Sequence, residues 1–236
     1  TVILLLMFVG GLGIMTAGLV ILAAVGRRIT LSQRIVVRDT MGATSLGGAV
    51  ALGRYVLIFA LAVQAVGFVV LFIRLLFDLS VGEAAWQGLF HSVSAFNNAG
   101  FVIFEDSDSL SAFQSDPLIL GVIGTLIVIG ALSFPVLAEV VRRRRPQRWS
   151  LDTRLVIIGS VGMWALGGLA LLLFEWGNDA TMQQLSTVDK VSNGVFQALT
   201  ARTAGFSSID FSETRAGTDF LFTFLMFVGG ASGSVA

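Results

Sequence analysis

Apolar runs dominate the chain, and their lengths fall into two classes. Five runs are apolar enough to enter a hydrocarbon core: residues 1–25, 55–77, 118–141, 155–174 and 220–236. The middle three have about 20 residues or more, enough to cross ~30 Å of hydrocarbon as helix. Two further runs, 84–96 and 188–201, are too short to cross. Each lies in a long connection between spans and leads into a cluster of small, polar and glycine residues. The clusters read FHSVSAFNNAGF at 90–101 and FQALTARTAGF at 196–206, in register at both ends with one residue fewer in the second. A second repeat supports the first: the pentamer MFVGG stands at 7–11 and again at 226–230. Repetition at this scale predicts one structural unit used several times. The predicted unit is an outer helix, a re-entrant half-helix, a glycine turn and an inner helix.

The expected divisions follow. Residues 1–26 are the inner helix of a first unit, and 27–53 are a connection with a short interfacial helix near 31–37. Residues 54–141 form a complete second unit with its pore loop at 84–101. A basic loop at 142–154 leads to a third unit, 155–236, with its pore loop at 188–206 and an interrupted inner helix. Both chain ends fall inside apolar runs, so the expectation is a fragment cut through two membrane helices, without a signal peptide.

Composition agrees with a membrane protein. Apolar residues make up 55% and charged residues only 13%, where soluble domains carry about 25% charge. The absence of cysteine excludes disulfides and thiolate metal sites. A single histidine excludes a histidine-based metal centre. No nucleophile is placed beside a base and its orienting partner, so no enzyme activity is expected. The one basic run borders an apolar span, so no nucleic-acid partner is expected either.

Charge placement sets the orientation. Arg27, Arg28, Arg34, Arg38 and Arg54 lie between the first two spans, and Arg142, Arg143, Arg144, Arg145, Arg148 and Arg154 between the third and fourth. Only Asp39, Glu139 and Asp152 are acidic on that side. The positive side is expected to be cytoplasmic, which puts both half-helices and glycine clusters outside. Arg142–Arg145 reads as a topology anchor, with anionic lipid or a cytosolic partner as a further contact.

A half-helix followed by a glycine turn at membrane depth is tolerated only where it is buried in protein or lines water. Its C-terminal end carries partial negative charge. Backbone carbonyls beyond it can replace the hydration shell of a cation. The side chains there, Asn97, Asn98, Ala99, Gly100 and Phe101, then Thr203, Ala204, Gly205 and Phe206, include no ionised ligand. The expected ligands are the carbonyls of Asn98, Ala99, Gly100, Thr203, Ala204 and Gly205. Phe101 and Phe206 are expected to wedge the loops against the surrounding helices. Asn97 and Asn98 are read as loop formers, His91 as a satisfied packing residue, and Gln64 as facing a neighbouring helix. Arg202 is read as scaffold pointing away from the axis, bonding loop carbonyls or an acid such as Asp210 or Glu213.

The clusters Asn97-Asn98-Ala99-Gly100-Phe101 and Arg202-Thr203-Ala204-Gly205-Phe206 resemble the second and third filter segments of the Trk/Ktr/HKT superfamily, in its bacterial TrkH/KtrB branch. Gly229, Gly230, Ala231, Ser232, Gly233 and Ser234 resemble the broken stretch of the third unit's inner helix, although family members carry a proline where this chain has Ala231. The resemblance covers nearly the whole chain. It implies an all-α, potassium-channel-like fold with four non-identical units around one pore in the bacterial plasma membrane, passing potassium through a filter with one glycine per unit. It also implies a homodimer, a cytosolic nucleotide-binding ring that controls opening, sodium as an activator in some members, and an intramembrane gate at Gly229–Ser234. Two alternatives stay open: a sodium or mixed monovalent-cation transporter of the same fold, and a secondary transporter with broken helices. The repeats run parallel, which argues against the second.

Overall fold

The computed structural model describes residues 1–11, 46–104, 108–132, 134–143, 145–202 and 204–229. The described residues form eight α-helices and contain no strand. They are α1 (Val2–Gly11), α2 (Leu46–Leu75), α3 (Val81–Phe96), α4 (Pro117–Ala131), α5 (Phe134–Arg142), α6 (Leu151–Glu175), α7 (Thr187–Thr200) and α8 (Ala216–Val228).

Local chemistry accounts for the helix starts. Ser80 caps α3 in a capping box with Glu83, and Ser186 caps α7 by accepting from the Asp189 N–H. Asp116 caps α4, with Pro117 at the first helical position, where no N–H is needed. Ser150 caps α6. Among the described residues two helices, Arg54–Leu75 within α2 and Leu151–Glu175, are long and apolar enough to cross a membrane.

The short helices α3 and α7 double back on α2 and α6. Gly88 of α3 lies against Phe72, while Ser92, further along, donates to the Gln64 carbonyl at 2.6 Å. Rising numbers in one helix meet falling numbers in the other, so the pair is antiparallel. The same holds in the second copy, where Gly194 meets Leu172 and Ala198 meets Gly167. At 16 and 14 residues, α3 and α7 are about 24 and 21 Å long, short of the ~30 Å hydrocarbon thickness. The chain then returns, and each inner helix starts level with the end of its outer helix. Arg74 near the end of α2 pairs with Asp116 at the start of α4 at 2.7 Å. Glu175 at the end of α6 accepts from the Arg215 N–H at the start of α8 at 2.9 Å.

Two of the inner helices, α1 and α4, also pack on the next half-helix. Met7 of α1 is buried with Phe90 and Val93 of α3. Gly124 of α4 lies against Phe196 and Leu199 of α7. The largest core joins α2, α4 and the loop after α3 to Phe196, Ala204 and Phe206.

The expected third span, 118–141, is not one helix. It ends at Ala131 and resumes at Phe134, with α4 and Val136–Arg142 bent by 104°. Pro135 lacks the N–H that a continuous helix requires, and the residue before a proline is disfavoured in helical geometry. Glu139 of α5 then holds the start of α6, accepting from the Ser150 N–H at 3.0 Å and from the Ser150 and Thr153 hydroxyls at 2.6 Å each. The expected interfacial helix near 31–37 and most of the first span lie outside the described residues.

Candidate functional site: two converging glycine loops

The loops after α3 and α7 meet at their glycines. Gly100 and Gly205 adopt nearly the same left-handed backbone, φ +71° and +72°. A methyl group built on Gly100 would overlap the Ala204 carbonyl oxygen and stand 3.2 Å from the Gly205 Cα. One built on Gly205 would stand 3.7 Å from the Gly100 Cα. Glycine is therefore demanded at position 100 by φ and by space, and at 205 by φ.

Behind each glycine sits the same clamp. The Ser94 hydroxyl donates to the Phe101 carbonyl at 2.8 Å, and the Thr200 hydroxyl donates to the Phe206 carbonyl at 2.9 Å. Thr200 also accepts from the Phe206 N–H at 2.9 Å. The last turn of each half-helix thus holds the residue after the loop glycine. In the first loop Asn98 takes φ +52°, a left-handed angle that asparagine tolerates better than most side chains. Asn97 donates to the Val93 carbonyl at 2.9 Å. Thr203 lies outside the described residues, as do Gly230, Ala231, Ser232, Gly233 and Ser234. Gly229 ends α8 with φ +64°.

A layer of polar side chains supports the loops from the outer-helix side. His91 is buried and stacked on Phe104, with ring centres 4.0 Å apart. Its Nδ1 lies 2.7 Å from the Gln87 carbonyl, and its Nε2 accepts from the Ile103 N–H at 3.3 Å. Those two partners define a neutral ring that donates at Nδ1 and accepts at Nε2. Gln87 donates to the Ile103 carbonyl at 3.0 Å. In the second loop Gln197 occupies the place of His91 and donates to the Ser207 hydroxyl at 2.8 Å. The outer strands of the two loops bond each other: the Leu110 N–H donates to the Ser207 carbonyl at 2.7 Å, and the Ser207 N–H to the Ser109 hydroxyl at 2.9 Å. Asn193 of α7 reaches the Gln114 carbonyl at 2.8 Å.

The two phenylalanines differ. Phe206 is 1% exposed and part of the core, whereas Phe101 is 50% exposed among the described residues. The expectation that both act as wedges fits Phe206 and not Phe101. Arg202 bonds a loop carbonyl, that of Gly229 at 2.7 Å, rather than Asp210 or Glu213. Gln64 is buried against α3, and its carbonyl, not its side chain, takes the Ser92 bond.

Sequence reasoning passed over three features. Glu175 is fully buried and accepts from Asn178 at 2.6 Å, Thr181 at 2.9 Å, Thr218 at 2.5 Å and the Arg215 N–H at 2.9 Å. The hydroxyl clamps are the second. The third is Gly130 of α4, where an added methyl would overlap the Phe96 carbonyl oxygen at the end of α3. Its signal was present: Leu126-Ile127-Val128-Ile129-Gly130 is a degenerate copy of Leu225-Met226-Phe227-Val228-Gly229 and Leu6-Met7-Phe8-Val9-Gly10.

Comparison with known proteins agrees with this architecture. The family model TrkH, described as a cation transport protein, matches residues 1–236. The Ktr system potassium uptake protein B of Bacillus subtilis is 36% identical over 236 residues, covering 100% of this chain and 53% of that protein. The potassium/sodium uptake protein NtpJ of Enterococcus hirae is 32% identical over 228 residues, covering 97% of this chain and 50% of that protein. The crystal structure of the potassium transporter TrkH from Vibrio parahaemolyticus superposes with a TM-score of 0.67 at 19% identity, over 97% of this chain and 43% of that one. The chain therefore has that fold, and it spans about half the length of the curated relatives it matches.

Proposed function

This chain belongs to the TrkH family of cation transport proteins, and from that membership we propose that it supplies two adjacent filter loops of a potassium-selective pore in the plasma membrane. The observation that carries the proposal is the meeting of Gly100 and Gly205, two loops from parallel repeats with matching left-handed φ. A packed bundle has no need for two half-helices that stop at mid-depth, and backbone left outside helices there must line water or protein. The carbonyls of Asn98, Ala99, Gly100, Thr203, Ala204 and Gly205 would replace the hydration shell of the passing ion. The half-helices α3 and α7 would point their negative ends toward it.

Gly229, Gly230, Ala231, Ser232, Gly233 and Ser234 would then form an obstruction on the far side of the filter, opened under the control of a cytosolic nucleotide-binding partner. The arginine-rich end is the cytoplasmic one in this proposal, and the working unit is a homodimer. Sodium would act as an activator.

The test is Gly100→Ser and Gly205→Ser in the full-length protein, read by reversal potential and by rubidium uptake. Loss of potassium-over-sodium discrimination in both, at normal expression, is the expected result. Unchanged discrimination in both removes these residues from the ion path. The potassium/sodium description of the Enterococcus relative favours one second reading, a pore that also passes sodium. A wild-type reversal potential that does not separate the two ions would establish it. Replacing Gly233 with tryptophan tests the gate separately, and should change flux far more than selectivity.

A further inference from the structure

Among the described residues Arg202 is the cation that directly follows a half-helix into its glycine loop, and the transport reading does not use it. It follows α7 by two residues, yet it does not turn toward any acid: among the described residues no carboxylate lies within ion-pair distance of it. Its Nε donates instead to the carbonyl of Gly229 at 2.7 Å, and its guanidinium carbon lies 6.0 Å from the centre of the Trp164 ring of α6. One side chain therefore touches all three helices of the repeat: α7 from which it extends, α6 through Trp164, and α8 through Gly229.

The partner is a meaningful one. Gly229 is where α8 stops, its N–H still bonded to the Leu225 carbonyl at 3.1 Å while its own φ turns to +64°. The last carbonyls of a helix lack intrahelical donors and carry the negative end of the helix dipole. A guanidinium donating there satisfies one of them and meets that partial charge.

The sister repeat closes the corresponding gap without a side chain. Gly130, the counterpart of Gly229 in the repeated pentamer, lies directly against the Phe96 carbonyl at the end of α3. There the inner helix and the half-helix touch backbone to backbone. In the third repeat an arginine bridges the corresponding gap.

We propose that Arg202 is a positioning residue that caps the C-terminus of α8 from the filter loop, fixing where the inner helix stops and coupling that stop to the third filter segment. The consequence for transport rests on the reading above, in which the residues after Gly229 obstruct the pore. Losing the cap loosens the end of α8 and raises the maximal uptake rate, while the filter keeps its ion affinity and selectivity. Charge at a helix C-terminus is worth roughly a two- to fivefold change in an opening equilibrium, which sets the size of both effects.

The experiment compares Arg202→Gln with Arg202→Lys in the reconstituted full-length protein. Hydrogen exchange at amides 225–229 reports the cap directly, and amides 126–130 of α4 are the internal control for folding. Rubidium uptake gives the maximal rate and half-saturating concentration. The expected result is about two- to fivefold faster exchange at 225–229 alone in the glutamine variant. It comes with a raised maximal rate and an unchanged half-saturation, and lysine restores most of both. Unchanged exchange at 225–229, or lysine behaving as glutamine does, overturns the cap. A changed half-saturation or selectivity also overturns it, because Arg202 then acts on the ion path itself. Faster exchange with wild-type uptake keeps the cap and overturns its coupling to transport, while the Gly233 substitution decides the gate reading independently.

Discussion

The second and third repeats solve the same three joints with different chemistry. At the outer joint, the second repeat uses an ion pair in reach of water: Arg74, partly exposed, bonds Asp116 and Asp78. The third uses a buried carboxylate, Glu175, with four hydrogen-bond donors and no cation among them. At the glycine loop, the second repeat clamps Phe101 with one hydroxyl bond and the third clamps Phe206 with two. At the inner joint, Gly130 meets Phe96 directly, while Gly229 is met by Arg202. The plan is shared and the materials are not, as expected when each repeat faces different neighbours and no symmetry forces identity. The third repeat relies more on buried polar bonds, which are modest when made and costly when broken. It is therefore the more fragile half.

The largest contrast is at the two phenylalanines. Phe206→Ala empties a fully packed site and should cost roughly 3–5 kcal/mol. Phe101→Ala, at a half-exposed site, should cost well under that. Thermal unfolding of both full-length variants measures the difference. Equal losses would mean that segments beyond these residues pack the open side of Phe101, which would make the two loops alike.

The outer joint comes next. Glu175→Ala leaves the buried Thr181 and Thr218 hydroxyls and the Arg215 N–H without their acceptor, and should cost about 3 kcal/mol or more. Arg74→Ala removes a partly exposed pair and should cost no more than ~1 kcal/mol. Salt should weaken the Arg74 contribution and leave that of Glu175 unchanged, since exposed charges are screened and buried ones much less. A salt-sensitive Glu175 contribution would contradict its burial.

How much of this was legible beforehand follows from the kind of signal involved. The spanning helices and both half-helices were readable because apolar run length is a local property. The two glycine loops after α3 and α7 were readable because their clusters repeat. The break after Ala131 was not read, since hydropathy averages over Pro135 and cannot register one missing N–H. Gly130 was missed because its copy of the pentamer keeps the apolar character and changes the letters. Glu175 looked like an ordinary charge at a helix end. Its meaning depends on Thr218 and Arg215, 43 and 40 residues away in the chain. The partner of Arg202 was likewise set by tertiary packing, 27 residues distant, and the nearby acids were the wrong place to look.

The smallest expected contrast lies in the hydroxyl clamps, and under the proposed function it is the one closest to the ion path. Thr200 is buried, and its hydroxyl both donates to the Phe206 carbonyl and accepts from the Phe206 N–H. Thr200→Val keeps the shape and strands both backbone groups, at about 2 kcal/mol. Ser94→Ala strands only the Phe101 carbonyl, at about 1 kcal/mol. The direction matters more than the size. A carbonyl released from its clamp is free to rotate, and it sits one residue from the glycine that each loop must hold at positive φ. If these loops line the ion path as proposed, the ring of carbonyls loosens more in the third repeat than in the second. Thr200→Val should reduce potassium-over-sodium discrimination more than Ser94→Ala does, with Thr200→Ser restoring it because the hydroxyl returns. Reversal potentials of the three variants at matched expression decide the point. If Ser94→Ala has the larger effect, the tighter loop is the one after α3, and the ranking of the two repeats is reversed at the place where it bears on selectivity.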